Sequence, residues 1–192
     1  MKYYYIFSLC LFVFYPSWSQ YKNNDSIANF TLTDVNNNIP FELNKVKKDF
    51  VVLLFIGNEC PFVDLYIDRI KKLQSTYPAV SFVLINSYSD KYETQNIKNM
   101  NLFLEKNKLN TPYLKDQDKD IAHLFNVRKI PEAHLLARIN NTYKLTYKGA
   151  IDDNPQSEID IKIEHLKNAI ETTTNNKNRS NSETHSIGCR IH

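Results

Sequence analysis

The stretch "VVLLFIGNECPFVD", Val51 to Asp64, runs an unbroken apolar segment into a short turn and ends that turn on a cysteine followed by a proline. Six consecutive apolar residues, Val51 to Ile56, are what a strand buried on both faces requires. Beyond Pro61 the pattern becomes helical. Val63, Tyr66, Ile67, Ile70 and Leu73 recur on one face to about Tyr77, and Pro78 stops the run. Cys60 thus stands where a buried strand hands over to the first turn of a helix. Unpaired backbone N–H groups and the helix dipole favour an anion there, so the thiolate is stabilised and the thiol pKa is expected to fall. Pro61 suits the first helical turn, where its missing N–H would have had no partner. Glu59 acts the other way, because an adjacent carboxylate opposes a second negative charge. The arrangement is that of a nucleophilic cysteine; the alternative is a buried cysteine packed as a small hydrophobe.

Working outward, "FTLTDVNNNIPFEL" holds two short β-leaning runs around an Asn-rich turn and reads as a hairpin. "VSFVLINS", Val80 to Ser87, is a second buried strand, and Ile97, Met100 and Leu104 mark a second helix. Strand, helix, strand, helix in this order predicts a parallel crossover unit in an α/β sheet. "TPYLKD" is a brief extended piece, and Ile121, Leu124 and Phe125 lie on a short helix. "IPEAHLLARI" and "YKLTYKG" flank Asn140-Asn141, a hairpin turn signal. Ile159, Ile163, Leu166 and Ile170 form one stripe, which predicts a last helix. With three glycines and no Gly-rich turn after either strand, a nucleotide site is disfavoured and no cofactor is expected.

The chain has 192 residues, enough for one well-packed domain, and its 42% hydrophobic and 23% charged residues are ordinary for a globular protein. "MKYYYIFSLCLFVFYPSWSQ" opens with a lysine, continues through a short apolar run and closes on small residues around Trp18. That order reads as a secretory signal peptide over 1–19, with an uncleaved membrane anchor as the competing reading. Cys10 falls inside it. Removing the leader lowers the formal charge from +3 to +2, since Lys2 is its only charged residue. That balance implies no nucleic-acid partner. The domain is expected over 20–172. Residues 173–192, including "TTTNNKNRSNSETHS", are poor in apolar side chains and are expected to form a flexible tail carrying Cys189.

Taken together, the residues carry a resemblance. A strand leading into "NECPF", "INS" closing the second strand, Ile130-Pro131 opening the later hairpin, "IDDNP" after it and "IGCRI" at the end look like the redoxin branch of the thioredoxin-like superfamily. The members in question are related to alkyl hydroperoxide reductase and thiol-specific antioxidant domains. The resemblance covers about Asp25 to His192. It implies a central mixed sheet flanked by helices, with Cys60 as the redox-active cysteine. It also implies a cis Ile130–Pro131 bond facing that cysteine, and a role for Pro61, Ile130 and Pro131 in holding the substrate chain of a mixed disulfide. The substrate so implied is a protein disulfide or a hydroperoxide, with an unidentified thiol as electron donor.

Two departures narrow this. Dithiol thioredoxins have a second cysteine three residues after the first, where this chain has Val63. Peroxiredoxins have a threonine three residues before the peroxidatic cysteine, where this chain has Gly57, and Arg128 does not securely match their arginine. Cys189 is the remaining candidate to resolve an oxidised Cys60. A flexible segment from Glu171 to Cys189 has a reach of roughly 23–25 Å, which spans much of a small domain. The rival readings are a permanent Cys60–Cys189 disulfide, a bond to another chain, and a free thiol. His134, His185 and His192 raise a metal reading, but no close Cys-x-x-Cys or His-x-x-x-His spacing supports a site. A redox-inactive binding module that holds a partner protein or a copper ion is the alternative from a different class. Asp152 and Asp153 are expected to hold a turn or cap the last helix.

Overall fold

Strand β3 (Phe50–Phe55) is the centre of the molecule, and Val51 to Phe55 are completely buried. The computed structural model describes residues 19–89, 91–175 and 182–191. The expected leader over 1–19, with Cys10, lies outside the described residues except for Ser19. Before β3 come β1 (Thr31–Asp34) and β2 (Ile39–Glu42), an antiparallel hairpin in which Asn38 takes a left-handed φ of 58°. After it come α1 (Pro61–Thr76), β4 (Val80–Asn86), α2 (Ile97–Asn107), β5 (Tyr113–Lys115) and α3 (Asp120–Leu124). The chain continues through β6 (Lys129–Ile130), β7 (Glu132–Ile139), β8 (Thr142–Gly149), α4 (His165–Thr174), β9 (Ser182–Glu183) and β10 (Cys189–Arg190).

Eight strands form one mixed sheet in the order β2-β1-β5-β4-β3-β7-β8-β9. β3 runs parallel to β4 and β4 to β5, as expected of the crossover unit, while β7 lies antiparallel on the other side of β3. The β7–β8 hairpin turns at Asn140 and Asn141, whose φ values of 49° and 64° are those a two-residue hairpin turn demands and asparagine tolerates. α1 packs on β4, and α4 packs on β7 and β8. The buried face of α1 carries Val63, Tyr66, Ile67 and Ile70, but also Arg69. Arg69 donates to Asp152 Oδ2 at 2.8 Å and to the Asn154 carbonyl at 2.7 Å, while Tyr66 donates to Asp152 Oδ1 at 2.8 Å. This buried pair ties the middle of α1 to the loop after β8. Removing one partner would strand the other's charge, at a cost of about 3–5 kcal/mol.

Two expectations need correction. The stripe Ile159-Ile163-Leu166-Ile170 does not form one helix: α4 begins at His165, and Ile159 is 94% exposed. Ile159 lies in a single 3-10 turn, Glu158–Asp160; beyond it the Asp153 carboxylate accepts the Lys162 N–H at 3.0 Å and the Asp153 N–H bonds the Ile163 carbonyl at 3.1 Å, so the segment is held as a loop up to the helix start. Asp152 and Asp153 do hold a turn, but neither is the N-cap of α4, which is Glu164. The expectation of a flexible tail is corrected for residues 182–191, which lie against the domain: β9 extends the sheet in parallel beside β8, and β10 pairs antiparallel with β6. Composition misses this, because backbone pairing and a disulfide hold the segment rather than a run of apolar side chains. Thr173 and Thr174 belong to α4.

Candidate active site

Cys60 is the N-cap of α1, in extended conformation, with Pro61 at the first helical position. Its carbonyl accepts the Val63 N–H at 2.8 Å, so helical bonding starts at the cysteine itself. The side chain is buried, whereas Glu59 is exposed and its charge is screened by water. Val63 is fully buried, so the position of a second local cysteine is a core position here.

The turn before Cys60 is fixed by a polar network that the sequence reading did not find. The Asn58 N–H donates to Gln95 Oε1 at 3.0 Å, and the Asn58 side-chain amide donates to the Thr94 carbonyl at 2.7 Å. Tyr113 Oη donates to Asn58 Oδ1 at 2.8 Å, and Asn86 Nδ2 lies 2.9 Å from Gln95 Oε1 and 3.1 Å from Tyr113 Oη. Burial raises the Tyr113 pKa well above the usual phenol value, so its hydroxyl remains a donor. Asn58 in "NECPF" and Asn86 in "INS" are the traces of this network in the quoted motifs. Gln95 and Tyr113 carry no local signal, because they reach Asn58 only through the fold.

Cys60 and Cys189 form a disulfide, with Cα atoms 6.0 Å apart and a sequence separation of 129. The Ile130–Pro131 bond is cis, and Cys60 Sγ lies 3.5 Å from the Ile130 carbonyl oxygen. Cys189 pairs with Ile130 and Arg190 with Lys129. Two further bonds hold this strand: Tyr88 Oη donates to the Arg190 carbonyl at 2.9 Å, and the Ile191 N–H donates to the Arg128 carbonyl at 3.3 Å. Burial, and then the neighbouring Tyr92, raise the Tyr88 pKa and keep its hydroxyl protonated. The Arg128 side chain is exposed and meets Asn126 Oδ1 at 3.3 Å, so it is the Arg128 backbone that serves the tail. Beside the disulfide lies a cleft of about 300 Å³ lined by Glu59, Tyr88, Tyr92, Thr94 and Gln95. Tyr88 and Tyr92 meet edge to face, 6.0 Å apart.

Gly57 has a steric reason. A side-chain carbon placed there would lie 2.6 Å from the Tyr88 ring and 3.0 Å from Ile130 Cδ1. Tyr88 therefore fills the space that a threonine would occupy. His134 is sealed in the core between Phe55 and Phe125, with Nε2 2.9 Å from Glu132 Oε1. His185 lies on the tail, and His192 lies outside the described residues. Among the described residues, no group of three or more His, Cys, Asp or Glu side chains is arranged to hold a metal ion. No helix among them is long and apolar enough to cross a membrane.

Comparison with known proteins gives one family and a set of structural neighbours. A crystal structure of an uncharacterized conserved protein from Geobacillus kaustophilus is 28% identical, with 88% of this chain and 90% of that one covered and a TM-score of 0.79. A hypothetical protein from Sinorhizobium meliloti 1021 is 25% identical over 90% of this chain and 95% of its own, with a TM-score of 0.78. A thioredoxin-like protein from Aeropyrum pernix shares the fold at 19% identity, covering 63% of this chain and 80% of that one with a TM-score of 0.53. No curated protein matches the sequence significantly. A profile of the AhpC/TSA family matches residues 24–153, a span that holds Cys60, Ile130 and Pro131 but ends before Cys189. With that match over most of its length and this sheet, the chain belongs to the AhpC/TSA family and has a thioredoxin-like fold.

Proposed function

We propose that this protein is an exported thiol–disulfide oxidoreductase in which Cys60 is the attacking thiolate and Cys189 the resolving thiol. The observation that carries the reading is the Cys60–Cys189 disulfide at the N-terminus of α1, beside the cis Ile130–Pro131 bond. In the reduced chain the Cys60 thiolate attacks one sulfur of a substrate disulfide. A Cys60–substrate disulfide forms, and the first substrate thiolate leaves. Cys189, deprotonated, then attacks Cys60 Sγ, expels the second substrate thiolate and closes the bond seen here. Two electrons pass from the protein to the substrate, and an external thiol donor must return them. Pro61, Ile130 and Pro131 frame the sulfur and hold the substrate chain during the mixed-disulfide step. The leader over 1–19 supports export to a compartment where such chemistry operates.

Disulfide exchange fits the site better than peroxide reduction. The Tyr88 ring closes the position beside Gly57 from which a hydroxyl would hold a peroxide. The deciding experiment follows the reduced full chain by mass spectrometry after oxidised glutathione and, separately, after stoichiometric hydrogen peroxide. Glutathione should appear on Cys60 and then be lost as the Cys60–Cys189 bond closes, faster than peroxide brings about the same bond. Alkylation of reduced Cys60 should show a midpoint below the free-thiol value of about 8.5. A Cys60 inert to oxidised glutathione, together with full partner binding by Cys60→Ser, would instead establish a redox-inactive binding module.

A further inference from the structure

The tail meets the domain through a contact that leaves no room for a side chain. A methyl group placed on Gly188 would lie 1.8 Å from the Ile130 carbonyl oxygen and 2.7 Å from its carbon. Gly188 does not need a left-handed φ; of the glycines, Gly149 alone has one. The requirement at Gly188 is close approach of one backbone to another. It comes from the β6 side of the contact, because Ile130 is buried in the core and fixed next to Pro131. Any chain that presents a cysteine to Cys60 in the register of β10 meets the same carbonyl.

We infer that the edge of β6 is a peptide site selective for an extended segment with glycine immediately before its cysteine, and that the chain's own Ile187-Gly188-Cys189-Arg190-Ile191 is its built-in occupant. This rests on the oxidoreductase reading above and names the substrate class for it. The rest of the site reads backbone: β6 pairs with the cysteine and the residue after it, Tyr88 Oη donates to that next residue's carbonyl, and the Arg128 carbonyl accepts the N–H one position further on. The side chains around the cysteine are less constrained, since Ile187 is 55% exposed and Arg190 is exposed. Ile191 packs partly buried against the core and favours an apolar residue two positions after the cysteine, but the sharp exclusion falls on one position, where the Ile130 carbonyl leaves no room for a Cβ. An external Gly-Cys segment and the tail exclude one another, so a partner is admitted only after the tail has been released by reduction.

The test uses the chain from Gln20 onward, without the leader and its Cys10, carrying Gly188→Ala and Cys189→Ser, which removes the competing thiol and keeps the tail from seating. Cys60 is first converted to its mixed disulfide with thionitrobenzoate. Three thiols are then compared at equal concentration: the peptide Ser-Ile-Gly-Cys-Arg-Ile, the peptide Ser-Ile-Ala-Cys-Arg-Ile, and glutathione. Each attacks Cys60 Sγ as its thiolate. A new disulfide to Cys60 forms, the old one breaks, and coloured thionitrobenzoate leaves, so no further oxidant enters. After correction for each thiol's rate with free Ellman's reagent, the glycine peptide should exceed the alanine peptide by at least about tenfold. Equal peptide rates with normal glutathione release would overturn the selectivity and leave the oxidoreductase reading intact. No release by any of the three would overturn both. The single variant Gly188→Ala supplies an independent measure: conversion of a Cys60–glutathione disulfide to the Cys60–Cys189 bond should slow by at least about tenfold, and an unchanged rate would overturn the inference.

Discussion

The tail is fastened to the domain twice, and the two fastenings differ in kind. At β9, Thr184 does most of the holding: its N–H bonds the Lys148 carbonyl at 3.0 Å, and its Oγ1 accepts the Ala150 N–H at 2.9 Å and lies 2.7 Å from Tyr147 Oη. Gly149, at φ 137°, lets the two backbones close, since a methyl there would lie 2.3 Å from Thr184. Lys148 and Glu183 pair beside them at 3.1 Å. None of these bonds depends on the redox state. At β10 the strand is two residues long, and its strongest link is the disulfide itself. β9 is thus a permanent anchor and β10 a latch. In the proposed reaction, β9 is what keeps Cys189 within reach of Cys60 once the disulfide is reduced.

Breaking the latch should have the largest effect. Cys189→Ser removes a cross-link spanning 129 positions, which is worth about 2–4 kcal/mol and lowers Tm by about 5–10 °C relative to the oxidised chain. Amide exchange on the same pair should show protection lost at 189–191 and kept at 182–184. Loss at both sites would mean that β9 is not independent of the disulfide. Breaking the anchor instead, with Thr184→Val, leaves the buried Ala150 N–H without its acceptor and costs about 1–3 kcal/mol in chemical denaturation. Cys189 is then no longer tethered at Thr184, five positions before it. The effective concentration of Cys189, read as the rate of mixed-disulfide resolution, should fall about fivefold. An unchanged resolution rate would show that β9 does not position the thiol. The smallest effect belongs to Tyr88→Phe, which deletes one hydrogen bond to the latch at 2.9 Å. At about 0.5–1.5 kcal/mol, this should shift the glutathione equilibrium of the Cys60–Cys189 bond toward the open form by about 2- to 10-fold, with little change in Tm of the reduced chain.

The same division between local and distant causes separates what the sequence made legible from what it hid. The strand, turn and helix from Val51 to Tyr77 could be read directly, because burial on both faces, helical periodicity and a Cys-Pro helix start are local patterns. The asparagine hairpin turns were legible for the same reason. The stripe from Ile159 to Ile170 shows the limit of that method. Its spacing satisfies a helix, yet Asp153 takes the backbone bonds that would have let the helix start earlier. Nothing in the segment's own periodicity records a competitor for its amides.

At the site, sequence determined that Cys60 sits at a helix N-terminus, that no second cysteine stands at Val63 and that no threonine stands at Gly57. These are facts of order along the chain. Only the tertiary structure decided what fills those places: the Tyr88 ring beside Gly57, the Gln95 and Tyr113 contacts that fix Asn58, and the bond of Cys189 to Cys60, which sets aside a free thiol and a bond to another chain and is common to the resolving and the permanent disulfide. The physical reason is the same in each case. A residue's own conformation is set by its neighbours in sequence, but its partner is set by which surfaces the folded sheet brings within hydrogen-bonding or bonding distance. The chain's three glycines show both halves of this: they could be counted in the sequence, but only the fold reveals that Gly188 and Gly149 admit the tail's backbone and Gly57 admits the ring that bonds it.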